Sequence, residues 1–239
     1  MAQTKINKLF FLAIIFLVST QFSSGQKSEI VFNAYSGLFS FRGNGSSSTS
    51  WINSNPYTSP WKYTSNPYGK KSEFSYALEL QGQRVTKHKN IYGLGISFEI
   101  LASKVNIDTV TANGFLYWEY SASGKTSLKN TFVTLNPFVG HRYSYHKIIF
   151  DLLAGFDLAF CLKSKEVGNA TTSNDYYVTV ENNKPKPSID FRPRIQVKTQ
   201  INKFGLLAGY SLGLTNYQIQ NNSKAYTSFL RLGLSYQLK

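Results

Sequence analysis

The sequence predicts an all-β fold, an eight-stranded antiparallel up-and-down transmembrane β-barrel. Three observations carry that expectation. Apolar and polar residues alternate with a period of two over successive segments, and the connections between those segments are alternately short and long. Beyond residue 26, no run of apolar residues is long enough to cross a bilayer as a helix, so any span must be built from strands.

The chain opens on a segment with the layout of a secretory signal. Lys5 and Lys8 supply a basic start, Leu9 to Val18 are uninterruptedly apolar, and Ser23-Ser24-Gly25 puts small residues before a cut at Gln26. The apolar run is well short of the roughly 20 residues that a spanning helix needs, so residues 1–25 are expected to be removed. Residues 26–239 are then the barrel domain.

The first expected strand, about Ile30 to Arg42, alternates too weakly to assign its faces. In the second, Phe74, Tyr76, Leu78 and Leu80 face one way, and Ser75, Ala77, Glu79 and Gln81 the other. The third sets Tyr92, Leu94, Ile96, Phe98 and Ile100 against Gly93, Gly95, Ser97 and Glu99. Val133, Leu135, Pro137 and Val139 oppose Thr134, Asn136, Phe138, Gly140 and Arg142 in the fourth. The fifth has Phe150, Leu152, Ala154, Phe156 and Leu158 against Asp151, Leu153, Gly155, Asp157 and Ala159. Phe191, Pro193, Ile195 and Val197 face away from Asp190, Arg192, Arg194, Gln196 and Lys198 in the sixth. Leu206, Ala208, Tyr210 and Leu212 oppose Gly205, Gly209, Ser211 and Gly213 in the seventh, and Leu230, Leu232, Leu234 and Tyr236 oppose Arg231, Gly233, Ser235 and Gln237 in the last.

Short turns are expected at about 86–90, 144–147 and 202–203, and long extracellular loops at about 43–72, 103–129, 164–187 and 216–225. Short turns at one end and long loops at the other are the layout of a bacterial outer-membrane barrel. A soluble eight-stranded barrel is the alternative. The glycines decide between them: they lie on the polar face, where a narrow cylinder crowds inward, which leaves the large Leu, Phe and Tyr side chains for lipid.

Composition agrees. Aromatic residues make up 15% of the chain and charged residues 16%, against roughly 25% charged in an ordinary soluble domain. Without residues 1–25, which hold two lysines and no acid, 26 basic and 12 acidic residues become 24 and 12, a formal balance of +12. An exported basic chain is expected to meet outer-membrane lipids and lipopolysaccharide, and not nucleic acid. Cys161 is the single cysteine, so no internal disulfide can form.

The strand pattern, a leader ending in Ser-Ser-Gly-Gln, and the closing Leu230-Arg231-Leu232-Gly233-Leu234-Ser235-Tyr236-Gln237-Leu238 resemble the outer-membrane-protein β-barrel domain family, its PorT-like group included. The resemblance implies an outer-membrane location, reached across the inner membrane with a cleaved leader, and folding by the barrel-assembly machinery. The family's chains usually end in an aromatic residue, whereas this one ends in Leu238-Lys239, with Tyr236 as the available substitute. The resemblance implies no specific activity.

Two groups of residues are singled out as sites. Glu79, Glu99, Asp151, Asp157, Arg142, Arg192, Arg194, Lys198 and Arg231 fall on the inward face, where charges in a narrow lumen need partners, and a mutually paired plug is expected. An ion-conducting file is the alternative. In the long loops, Trp51, Tyr57, Trp61, Tyr63, Tyr117, Trp118 and Tyr120 are candidates for binding a glycan or a protein partner, since flat amphipathic rings stack well. His88, His141 and His146 assemble no catalytic set with a serine and an acid, and no metal or cofactor site is expected. The expected function is therefore non-enzymatic: surface interaction or envelope integrity through the loops. A PorT-like role in protein secretion and a lipid-modifying enzyme are the alternatives.

Overall fold

The computed structural model describes residues 27–55, 59–113, 117–218 and 223–239; the expected leader, residues 1–25, lies outside them. In chain order the strands are β1 (Lys27–Arg42), β2 (Thr49–Asn55), β3 (Ser59–Thr64), β4 (Lys71–Val85), β5 (Asn90–Asn113), β6 (Tyr117–Tyr145), β7 (Ile148–Thr172), β8 (Tyr177–Asn183), β9 (Ile189–Ile201), β10 (Phe204–Leu212) and β11 (Tyr226–Gln237). No helix occurs among the described residues.

Eight of these strands close into a ring. β1 pairs antiparallel with β4 on one side and with β11 on the other, so that Phe32 sits opposite both Leu80 and Tyr236. The pairs β4–β5, β5–β6, β6–β7, β7–β9, β9–β10 and β10–β11, all antiparallel, complete the circuit. Closure leaves the ring no open edge, so its backbone groups are paired within it, as a bilayer interior demands. Beyond the last strand, Leu238 N–H donates to Ile30 O at 2.8 Å and Ile30 N–H to Lys239 O at 3.1 Å.

The period-two pattern sends its two residue sets to opposite faces. Phe74, Leu78, Ile195, Leu206, Leu232 and Leu234 are exposed on the outside, while Ser75, Glu79, Gln81, Arg194 and Arg231 are buried within. A soluble monomer rarely exposes apolar patches beyond a few hundred Å². Here the greasy side chains clothe the outside of a closed ring and the charges fill its inside. The chain is a transmembrane β-barrel. Tyr92, Tyr143, Tyr145 and Phe204 are exposed near the short-turn end, in the manner of an interfacial girdle.

Two short turns are tighter than the sequence suggests. β6 runs on to Tyr145, so only His146 and Lys147 join it to β7, with His146 left-handed at φ 52°. Asn202 does the same between β9 and β10 at φ 55°. The long connections depart further from expectation. Most of 103–129 is not loop: β5 continues to Asn113 and β6 starts at Tyr117, so the two strands stay paired far beyond the start of β4. Within 43–72 lie β2, parallel to β5, and β3, antiparallel to β2; within 164–187 lie the end of β7 and its partner β8.

These pieces form an extension stacked on the barrel, with strand order β3-β2-β5-β6-β7-β8 and its own apolar core of Ile52, Val105, Ile107, Val110, Ala170, Val178 and Val180. Its two edges meet through side chains. Thr64 N–H donates to Glu166 Oε1 at 3.0 Å, Lys184 pairs with Glu166 at 2.9 Å, and Asn182 Nδ2 donates to Lys62 O.

Candidate functional site

The nine charged residues expected to face inward are all buried inside the ring. They fall at two heights. Near the short-turn end, Arg142 holds Asp151 by Nε at 2.7 Å and Nη2 at 2.8 Å, and Lys198 lies 3.7 Å from the same carboxylate. Higher up, Arg194 contacts Glu79 through both Nη atoms at 3.2 Å and Asp157 at 3.4 Å. Arg231 reaches the other oxygen of Asp157 at 3.0 Å, and Arg192 donates to Glu99. Asp157 is thus the hub of the upper group.

Two lumen acids are additional to that set. Glu29, on β1, accepts two bonds from Arg142 at 2.8 Å. Asp190 accepts from Thr227 Oγ1 at 2.7 Å and from the Tyr217 hydroxyl at 3.1 Å. Glu29 escapes a sequence reading because β1 does not alternate cleanly; Asp190 lies on the predicted polar face, and its period would have sufficed. With both included, six acids face five bases.

Apolar layers bound this network. Val85, Ile91, Phe138 and Leu153 cluster near the turns, and Phe39, Phe41, Phe132, Phe229 and Tyr217 cluster toward the extension. The guanidinium of Arg231 lies 4.6 Å from the Phe229 ring centre and that of Arg192 lies 5.1 Å from Phe132, so donors without oxygen partners rest on aromatic faces. The space left among Gln81, Asn136, Phe138, Gly155, Arg194 and Gln196 is about 10 Å³, the lower limit for a single water. Chemically, the lumen is a packed and paired core.

The aromatic candidates of the long connections are not one patch. Trp51, Tyr63 and Tyr117 are exposed on the outer surface of the extension, while Trp118 and Tyr120 alternate to the opposite face and stack at 6.3 Å. Tyr68 turns under the extension and packs on Phe41 at 5.2 Å. Tyr57 and the Trp61 side chain lie outside the described residues. Between β2, β5 and β6 is a cavity of about 420 Å³, lined by Trp51, Asn53, Thr109, Thr111, Tyr117 and Glu119.

The histidines sit at the short-turn end. His141 shares a 3.0 Å hydrogen bond with Asn90 and stacks on Tyr143, and His146 stacks on Tyr145. Among the described residues no group of His, Cys, Asp and Glu is arranged to hold a metal ion. Cys161 is buried in β7, with its thiol 3.7 Å from Lys163 O.

No family model matches the chain, and no curated protein matches it in sequence. Among solved structures it is similar to Ail, the attachment invasion locus protein of Yersinia pestis, at 10% identity and a TM-score of 0.33, over 90% of this chain and 100% of that one. Neisserial surface protein A is similar at 7% identity and 0.37, over 88% and 98%. The translocator domain of the autotransporter NalP from Neisseria meningitidis has 9% identity and 0.21, over 98% and 96%. At such values the barrel stands on its own strand ring.

Proposed function

We propose that the protein is a non-enzymatic barrel of a bacterial outer membrane that makes surface contacts through its folded extension. The observation that carries this reading is the continuation of β5, β6 and β7 beyond the ring into a second core, with exposed aromatic side chains on its outer face. Side chains fixed on paired strands present a binding surface at a lower entropic cost than a free loop does. The packed lumen supports a scaffold role over a conducting one.

Charge supports the orientation. Just beyond the apolar belt Lys71 sits opposite Lys104, with Lys129 and Lys163 at about the same height on β6 and β7. A ring of amines suits the phosphates of a lipopolysaccharide-like leaflet, which puts the extension on the cell surface.

The test replaces Val105–Thr126 by a two-residue turn joining Lys104 to Ser127, which are paired across β5 and β6. Heat-modifiable gel migration and membrane fractionation report on the barrel, and attachment of cells to host or abiotic surfaces reports on the extension. An intact barrel with lost attachment is the expected result. Unchanged attachment with the extension gone overturns the proposal.

A further inference from the structure

The cavity on the extension is built by a defect in strand pairing. Up to Ile107, the odd-numbered residues of β5 face inward: Leu101, Ser103, Val105 and Ile107 are buried. At Asp108 the register shifts against both neighbours, with Ser50 opposite Ile107 but Trp51 opposite Thr109, and Gly124 opposite Ile107 but Ser121 opposite Thr109. One extra residue in a strand reverses the facing of all that follow, and such bulges re-aim side chains at sites. Val110 therefore carries the core onward, and Thr109 and Thr111 turn to the outer face beside Trp51 and Asn53.

The result is a grid of short polar side chains between two exposed rings. Trp51 and Asn53 come from β2, Thr109 and Thr111 from β5, and Tyr117 and Glu119 from β6, on strands about 4.8 Å apart. Thr111 Oγ1 donates to Asn53 Oδ1 at 3.0 Å, and the Tyr117 hydroxyl donates to Glu119 Oε2 at 2.9 Å, so the polar groups are held in place. That second bond also keeps the Tyr117 phenol above its ordinary range, committed as a donor.

We infer that this cavity binds a neutral oligosaccharide. The inference rests on the surface-contact reading and names the ligand class. Its lining carries no Lys or Arg, so a sulfated or sialylated chain would find a carboxylate and no counter-charge. It carries no aliphatic side chain, so an apolar peptide anchor would find no pocket. A sugar ring has both needed faces: its C–H surface stacks on indole or phenol, and its hydroxyls meet Asn, Thr and Glu. The volume of about 420 Å³ lies in the ~300–1,000 Å³ range of small-ligand sites.

The test presents the mature chain, refolded in detergent, to a microarray of neutral hexose and N-acetylhexosamine oligosaccharides beside sialylated and sulfated ones. Retention on neutral spots is expected. Trp51→Ala should weaken it by about tenfold, Trp51→Phe should restore most of it, and Trp118→Ala, on the opposite face, should leave it unchanged. Absence of neutral retention, retention indifferent to Trp51→Ala, or a preference for sulfated spots overturns the inference. Cell attachment by the same Trp51→Ala variant separates the two readings. Attachment that needs the extension but not Trp51 sinks the sugar site alone, whereas attachment that needs neither sinks the surface-contact reading as well.

Discussion

Arg142 and Glu29 lie 113 residues apart in sequence and meet inside the barrel in a two-bonded ion pair, Nη1 to Oε1 and Nη2 to Oε2, both at 2.8 Å. The same guanidinium also holds Asp151 at 2.7 Å. One base thus ties β1 to β6 and β7 across the lumen.

Removing that base leaves two buried carboxylates facing each other. Arg142→Met should cost about 3–5 kcal/mol of unfolding free energy. Glu29→Gln keeps a polar partner and leaves Arg142 with Asp151, so it should cost only about 1–3 kcal/mol. Denaturant unfolding in phospholipid vesicles measures both. Equal losses, or a negligible effect of Arg142→Met, would mean that the network does not bear on stability.

The facing of the strands makes an opposite pair of demands on the outer wall. Leu232 is well exposed in the middle of the apolar belt. Against hydrocarbon, Leu232→Arg should cost roughly 2–4 kcal/mol and impair insertion into vesicles. Against water the same change should stay within about 0.5 kcal/mol. Tyr63→Arg, on the extension, is the control and should be tolerated. A harmless Leu232→Arg would remove the membrane from the account of this fold.

Two glycines distinguish the wall's two faces sterically. A Cβ on Gly155 would meet Pro137 O at 2.4 Å and the Phe138 backbone at 3.0 Å, whereas on Gly82 the nearest atom is Leu94 O at 4.0 Å. Gly155→Val therefore overpacks the lumen and should lose about 1–3 kcal/mol or fail to fold. Gly82→Val points outward and should be neutral or gain a few tenths of a kcal/mol from reduced chain entropy. Heat-modifiable migration with vesicle unfolding compares them, and comparable behaviour would contradict the inward placement of Gly155.

How much of this was legible in the sequence follows from what each strand faces. β4, β9, β10 and β11 divide lipid from a polar lumen, so their alternation is clear, and the inward charges could be named from it. β1 fails that test. Its inward set runs Glu29, Val31, Asn33, Tyr35, Gly37, Phe39 and Phe41, because its upper half joins the aromatic layer beneath the extension. Without that contrast Glu29 had no signal. The extension was hidden differently: Thr109 to Asn113 and Ser121 to Ser127 are small and polar on both faces, which reads as loop. The bulge at Asp108 then breaks the period where β5 does regain an apolar residue, at Val110. Three-dimensional pairing with β2, far away in sequence, is what makes these residues strand.

The extension and the barrel have separate apolar cores, and this makes their stabilities separable. Ile52 and Val178 are buried in the extension and contribute nothing to the lumen layers. Ile52→Ala should remove about 2–5 kcal/mol from a core of only a few side chains, enough to open it locally. The eight-stranded ring keeps its own hydrogen bonds and lipid contacts, so its heat-modifiable band should persist. Brief protease treatment of folded protein in vesicles should then cut within β2, β3 or β8 in the variant and spare them in the parent. Loss of the barrel band together with the extension would show the two cores to be one cooperative unit, and a rigid platform on an independent pedestal would no longer describe this chain.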